Sequence, residues 1–528
     1  METLHKHYSD SVLFNRRGFL TSVGATLLHA SLVGQTIRRS ASAQNVGDYP
    51  FTLGVASGDP TPDGVVLWTR LAPDPLHEGG GMPQQPVTVQ WQIADDEHMR
   101  RVVQHGAVLA VSDLAHSVHV EVHGLQPARW YWYQFKFGNE VSPVGRTRTA
   151  PAYGAPLDHL RFAFVSCQHY AQGFYPAHAR LAEEDLDFAV HLGDYIYETA
   201  ATGVRTHAPE HEIVTLDDYR IRYAQYKSDP ALQAVHAAFP WIMTWDDHET
   251  ENDYAGLTPQ DPADQPTFAE RRARAYQVYY EHMPLRSTSL PMGPNLQLYR
   301  RLSFGDLAEV HVLDTRQYRS ARAPAGCDLS ARLDGYCPDA LDPARTIVGD
   351  PQRDWLLDGL GQSQASWNVL ANQVPFAPNN TSADPAMRTF GGEKWDGYPL
   401  DRQQVLDFLA ARNLSNTVVI TGDVHQNFVR NVPPDYINLD AAPVATEFIG
   451  TSISSGGDRV IATAFGGNAN NPHLRFMDNH HGYVRCTLTP TLWQSDYRVV
   501  PSVLVPDAPI STLASFVVEH GRAGAERV

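Results

Sequence analysis

Six short, largely apolar runs recur along the chain, at residues 162–165, 188–192, 241–245, 309–313, 367–370 and 417–421, and each ends in a polar cluster. Runs of this length and continuity predict strands covered on both faces. Their tips read Ser166-Cys167-Gln168, then Gly193-Asp194-Tyr195-Ile196-Tyr197-Glu198, then Asp246-Asp247-His248-Glu249. The later three read Asp314-Thr315-Arg316, Ala371-Asn372-Gln373 and Gly422-Asp423-Val424-His425-Gln426. Polar side chains placed where buried strands end sit at the rim of a sheet, where the sites of layered α/β folds gather. If the tips converge, they make a pocket of oxygen, nitrogen and sulfur donors, the composition of a metal site with more than one ion.

A second pattern precedes these runs. Residues 64–69, 87–93, 117–123 and 130–137 alternate apolar and polar positions, separated by turns rich in Gly, Pro and Asp. Alternation of this kind predicts a small antiparallel all-β sandwich over 45–150. The turn at 124–127, before a Tyr-rich strand, is similar to the corner of an immunoglobulin-like or fibronectin-like sandwich. This module carries no catalytic constellation and reads as a packing or substrate-entry domain. Residues 149–158 form a Pro/Gly linker. From Leu160 onward, strand patterns alternate with helical ones at 175–184, 216–225, 267–282 and 404–411, and further strands are expected at 447–451 and 482–488. The expected fold is therefore layered α/β, with sheet in the middle and helices outside, over a catalytic domain of 151–528. Polar segments at 198–216, 254–267 and 318–350 are expected to be loops flanking the site.

Composition changes the picture at three points. The 528 residues carry a formal charge of −18, which argues against a nucleic-acid-binding surface. A phosphate-bearing substrate would then need local positive charge. Four cysteines are too few for a disulfide scaffold, although Cys327 and Cys337 are close enough in sequence to pair in an oxidising compartment. Residues 1–44 are not fold. Arg16 and Arg17 precede a weakly apolar run at 20–33, and Ala41-Ser42-Ala43 offers a cleavage site. This arrangement is similar to a twin-arginine export signal, and the run falls short of the ~20 apolar residues that span a bilayer. A secreted or periplasmic protein is expected, exported by the twin-arginine machinery, with no stable membrane span and monomeric.

Each candidate residue has a chemistry and an ordinary alternative. Asp194 is a hard oxygen donor able to bridge two ions, or a turn aspartate. Tyr197 could bind as phenolate only to a strong Lewis acid such as Fe(III), or it simply packs. Cys167 is a thiolate ligand or a small buried hydrophobe. Two acids and an imidazole at 246–248 are costly to bury without a cation. One carboxylate there can ligate while His248, as imidazolium, serves a leaving alkoxide as acid. Asn252 could add a neutral donor, with Asp253 as the alternative. Asp423 and His425, two residues apart on an extended tip, can approach one site together. Arg316 and Arg220 are the nearest basic residues in sequence, and both are expected to end as salt-bridged surface arginines.

Cys167 in Ser-Cys-Gln, Asp194 and Tyr197 in Gly-Asp-Tyr-Ile-Tyr-Glu, Asp-Asp-His-Glu at 246–249 and Gly-Asp-Val-His at 422–425 occur in one order. Together they resemble the PhoD-type alkaline phosphatases, a branch related to the calcineurin-like metallophosphoesterases and purple acid phosphatases. The resemblance implies a β-sandwich flanked by helices behind an immunoglobulin-like domain. It implies Fe(3+) held by Cys167, Asp194, Tyr197 and His425, with Asp194 bridging, and Ca(2+) held by Asp423 and an asparagine near position 252. Asp247 falls where the wider superfamily carries a ligating asparagine, and His248 on its substrate-facing histidine. Ala371-Asn372-Gln373 stands where that superfamily has a lone metal-binding histidine, which favours calcium as the second ion. The implied activity is hydrolysis of a small-molecule or polymer phosphate ester. Its rivals are a phospholipase D or teichoic-acid-type phosphodiesterase on the same scaffold and, from another class, a secreted metal-containing binding or adhesion protein.

Overall fold

Strands Leu160–Val165, Phe188–Leu192 and Pro240–Thr244 pair in parallel, and so do Ala308–Val312, Trp367–Ala371, Thr417–Thr421 and Ala445–Ile449. These are the six apolar runs, with one strand more. The computed structural model describes residues 48–323, 336–382, 384, 386–459 and 470–528. The leader at 1–44 and the pairing of Cys327 with Cys337 lie outside the described residues.

Each parallel set is the middle of a larger mixed sheet. The first belongs to a ten-stranded sheet, in which Gly482–Leu488, Leu492–Val499, Ser511–Glu519 and Glu526–Arg527 extend one edge in antiparallel fashion. The second belongs to a seven-stranded sheet completed by Arg300–Phe304, Asn427–Val432 and Leu474–Asp478. The two sheets face each other across one core. Phe162, Phe164, Val190 and Ile242 from the first meet Val310, Val369, Ile420 and Phe448 from the second. Side chains alternate along each strand, so Ala163, Val165, Ala189 and Met243 point the other way. There they meet helices Leu216–Lys227, Pro230–Ala238 and Phe268–His282 through Tyr219, Tyr223, Leu232, Val235 and Tyr279. The far face of the second sheet is covered by Asp350–Gln362 and Pro399–Arg412 through Leu356, Leu360, Val405 and Leu409. Double coverage is why the strands read as continuous apolar runs rather than alternating ones.

Helices Pro230–Ala238 and Asp350–Gln362 were not expected from the apolar pattern. The first carries a legible start: Asp229 accepts from the amides of Ala231 and Leu232 at 2.9 and 3.2 Å, and Pro230 opens the turn.

The N-terminal strands do not close on themselves. Val55–Thr61 pairs in parallel with Pro240–Thr244, so it and its hairpin partners Gly64–Arg70 and Ser117–Val122 continue the ten-stranded sheet. Gly58 permits this contact: a Cβ there would lie 2.5 Å from the Pro284 carbonyl oxygen and 2.8 Å from that of Trp241. A five-stranded sheet of Val87–Ala94, Val102–Ala110, Trp130–Phe137, Glu140–Val141 and Gly145–Arg148 packs over these strands through Val89, Ile93, Tyr133 and Phe135. At its corner the Tyr131 hydroxyl accepts from the Gln126 amide at 3.0 Å. The result is a sheet-rich α/β fold. Among the described residues no helix is long and apolar enough to cross a membrane.

Candidate metal centre

The parallel strands of both sheets end on one side, and glycines weld the tips together there. Gly193 has φ +112°, and a Cβ on it would lie 2.5 Å from both the amide nitrogen and the Cβ of Asp246. A Cβ on Gly422 would lie 2.7 Å from the Ser166 side chain. Backbone bonds from Cys167 N to Gly193 O and from Gln168 N to Asp194 O, both 3.1 Å, carry the pairing past the strand ends. Gln373 ties three tips from beneath. Its carbonyl accepts from the amide and hydroxyl of Thr315, and its amide donates to Thr244 Oγ1 and Leu313 O. Asn372 accepts from Trp395 Nε1 at 3.0 Å and donates to Thr421 Oγ1, so it is committed to structure.

Cys167, Asp194, Asp253, Asp423 and His425 all adopt positive φ, between 55° and 68°. Such strain in residues other than glycine persists only where the surroundings over-determine it, and it clusters at functional sites.

The donors converge as two groups that share one residue. Ligand atoms of Cys167, Asp194 and His425 lie within 4.8 Å of one another, and so do those of Asp194, Asp247 and His248. The Tyr197 hydroxyl donates to Asp194 Oδ2 at 3.0 Å and lies 3.1 Å from His425 Nε2. Among the described residues, Asp194 Oδ1 is buried with no hydrogen-bond partner. Ser455 supports this corner, with its hydroxyl 2.7 Å from both the Tyr197 oxygen and the Cys167 carbonyl.

Electrostatics separate the two halves. Burial, with the Asp247 and Asp246 carboxylates acting against His248, pushes the Asp194 carboxyl well above its usual range. Burial and then Asp194 do the same to the Cys167 thiol and the Tyr197 phenol. Burial works against the Asp247 carboxylate, yet Arg316 and His248 overcome it and hold its pKa at about 2. Burial also works against the His248 imidazolium, yet Glu198, Asp194 and Asp247 hold its pKa well above the ordinary histidine value. His248 Nδ1 donates to Glu198 Oε2 at 2.7 Å, and its ring lies 4.1 Å from that of Tyr197. His425 is pushed the other way, to about 3, by burial and by the neighbouring His248.

The remaining candidates stand at the flank. Asp423 is paired with the Lys394 ammonium rather than placed in either donor group. Asn252 is held through its amide on Glu198 Oε1 at 2.9 Å. Asp253 is held through its amide on Asp247 Oδ2 at 2.7 Å and by Arg322 at 3.3 Å.

The two arginines differ from expectation, and neither lies on the surface. Arg316 is fully buried, with Nε 2.5 Å from Asp246 Oδ1 and Nη2 3.0 Å from Glu393 and 3.5 Å from Asp247. Five carboxylates gathered at one rim, Asp246, Asp247, Asp253, Glu393 and Asp423, need a buried counter-charge, and its strand tip delivers it. Arg220 is buried against Glu281 at 2.6 Å and belongs to neither donor group.

Several side chains that hold the candidate site together have no counterpart among the residues singled out from the sequence. Glu198 follows Tyr197 directly and was visible as a motif residue without a role. Glu249 splints two tips, accepting from the amides of Tyr195 at 2.6 Å and Asp246 at 2.9 Å. Arg222 gathers the loop after Tyr197 by donating to the carbonyls of Tyr197, Thr199, Ala208, Pro209 and His211. Glu393, Lys394 and Ser455 arrive on loops with no local signal.

Known proteins are similar to this chain in sequence and architecture. A family described as PhoD-like phosphatase matches residues 162–497, and the N-terminal domain of PhoD-like phosphatases matches 37–151. Alkaline phosphatase D of Bacillus subtilis (strain 168) is 50% identical over 535 aligned residues, covering 98% of this chain and 89% of that protein. The solved structure of PhoD superposes with a TM-score of 0.87 at 50% identity, covering 92% of this chain and 93% of that one. The protein is a phosphoric ester hydrolase. More narrowly, the chain belongs to the PhoD-like phosphatase family.

Proposed function

We propose that the protein is an exported, metal-dependent hydrolase of phosphate esters, with Asp194 bridging two cation sites. Its carboxylate belongs to both donor groups, and that one observation carries the reading. The donor chemistry fits: a thiol, a phenol, an imidazole and a carboxylate with a buried oxygen unpartnered among the described residues are poor company without a cation. Cys167, Asp194, Tyr197 and His425 would hold Fe(3+). Asp194, Asp247 and Asp423 with Asn252 or Asp253 would hold Ca(2+). Bound there, the ions supply positive charge for phosphate oxygens and Lewis acidity. With Nδ1 of His248 engaged by Glu198, Nε2 is the nitrogen left to protonate the ester's leaving oxygen. The negative overall charge gives no general attraction for phosphate, so binding depends on this local cluster.

The boundary between the two family matches supports division into residues 45–150 and 151–528, although the two parts share a sheet. The same matches support a layered metallophosphoesterase-like catalytic domain behind an immunoglobulin-like one. The paired arginines at 16 and 17 support twin-arginine export, and the protein is proposed to work as a monomer.

Asp194→Asn tests the reading. Iron content by mass spectrometry and the visible tyrosinate band should fall together, and aryl-phosphate turnover should drop by more than about 100-fold. Turnover near wild type would refute the bridging role. Relative rates on mono-aryl and bis-aryl phosphates separate monoesterase from diesterase.

A further inference from the structure

Five carboxylates and four basic side chains line one flank of the site. Asp246, Asp247, Asp253, Glu393 and Asp423 are paired with Arg316, Arg319, Arg322 and Lys394. Arg316 and Arg319 have side chains 0% and 1% exposed, whereas those of Lys394 and Arg322 are 28% and 41% exposed, and only Lys394 among the four pairs with Asp423. Its ammonium sits on Asp423 and lies 3.5 Å from Glu393. Asp423 Oδ2 has no hydrogen-bond partner besides this ion pair among the described residues.

The backbone that carries Lys394 is fixed on both sides. Arg319 Nη1 donates to the Glu393 carbonyl at 2.6 Å and to its carboxylate at 3.0 Å. Next in the chain, Trp395 is fully buried and bonded to Asn372. Asp396 accepts from Arg402 at 2.6 Å and from the Asn379 amide at 3.0 Å. Gly397 closes the turn, since a Cβ there would lie 2.0 Å from the Gly392 carbonyl. A turn anchored this tightly presents one flexible ammonium at the rim of the metal centre.

We infer that Lys394 is a substrate clamp: its ammonium gives up Asp423 when that carboxylate takes a cation, and then binds a non-bridging oxygen of the substrate phosphate. The inference rests on the proposed cation at Asp423. Like charges at contact distance repel in a partly buried site, so a cation on Asp423 weakens its pairing with the ammonium and leaves Glu393, at 3.5 Å, as the ammonium's protein partner. The four-carbon stem lets the ammonium move while the backbone does not. The phosphate brought by the substrate is the anion it then meets. A dianionic monoester gains more from this contact than a monoanionic diester, so Lys394 also biases the enzyme toward monoesters.

The test uses the metal-loaded enzyme and the variants Lys394→Met, Lys394→Gln and Lys394→Arg. Expected for Met and Gln are unchanged iron and calcium content, and KM for an aryl phosphate raised about 10- to 100-fold. The inhibition constant of inorganic phosphate should rise in parallel, kcat should change less, and Arg should restore most of the binding. The rise in KM should be smaller for a bis-aryl phosphate. Unchanged KM and phosphate inhibition overturn the clamp while leaving the metal reading intact. Loss of calcium from Lys394→Met or Lys394→Gln also overturns it, by making Lys394 part of the ligand scaffold. Wild-type protein that carries no ion besides iron overturns both readings, and the same mass spectrum distinguishes that failure from the others.

Discussion

Replacing Glu198 by Gln removes one charge from the site while keeping the size and shape of the side chain. The Glu198 carboxylate is 2% exposed and accepts from His248 Nδ1 at 2.7 Å and from the Asn252 amide at 2.9 Å. A glutamine has a single acceptor oxygen: its carbonyl can keep the bond from His248 Nδ1 as a neutral acceptor, while its NH2 group then faces the Asn252 amide and that bond is lost. A hydrogen bond to a charged group is worth about 1.5–3 kcal/mol and a neutral one about 0.5–1.5 kcal/mol. The loss on the imidazolium is therefore roughly 1–2 kcal/mol, or about 5- to 30-fold in the protonated fraction where it limits the rate. The sign follows from the partners: Glu198 raises the His248 pKa, so its removal lowers it. An acid must be protonated to act, and the alkaline limb of kcat/KM should move to lower pH. The assay is kcat/KM between pH 6 and 11 on a series of phosphate monoesters whose leaving groups differ in basicity. Proton donation matters least for a nitrophenolate and most for an alkoxide, so the loss should grow with leaving-group pKa. An equal loss across the series, or an alkaline limb that does not move, would refute His248 as the acid and Glu198 as the group that positions it.

Two further outcomes follow from the packing. Gly193→Ala places a methyl 2.5 Å from the Asp246 backbone at φ +112°, which should cost roughly 2–4 kcal/mol and separate the Asp194 and Asp246 tips. Thermal melts and iron content should fall together, and a variant that melts like wild type with full iron would contradict the welded-tip account. Lys227 is 2% exposed, lies over the rings of Trp68 at 4.2 Å and Tyr195 at 5.3 Å, and makes no ion pair among the described residues. Burial lowers its pKa from 10.5 to about 7, so between those values the unfolded chain holds the extra proton and stability rises with pH. Lys227→Met should raise the melting temperature most below pH 7, with the benefit fading toward pH 10.5, offset by about 1–2 kcal/mol of lost cation–π attraction. A gain independent of pH would mean that the ammonium is not what burial penalises.

The chain alone determined the strands that matter and the residues at their ends. A strand buried on both faces must be apolar along its length, and that demand is local, so 188–192 and 417–421 were legible to the residue. The polar tips were legible for the same reason, since a run that stops being apolar marks where the sheet meets solvent or a site. Strands such as Val55–Thr61 and Leu492–Val499, which mix Gly, Asp, Gln or Arg among apolar residues, lacked that contrast. What tertiary structure decided was partnership. Tyr197 and His425 are 228 residues apart and 3.1 Å from each other, and no spacing in the chain encodes that distance. Arg316 was expected outside because a lone arginine is cheapest in water, and it lies inside because strand order sets it against Asp246 and Glu393. The sharing of Asp194 between two donor groups, the Glu198–His248 pair and the place of Lys394 beside Asp423 have the same origin. Burial of a face is written in the period of the sequence, whereas the partner of a charge is set by which strands the sheets bring side by side.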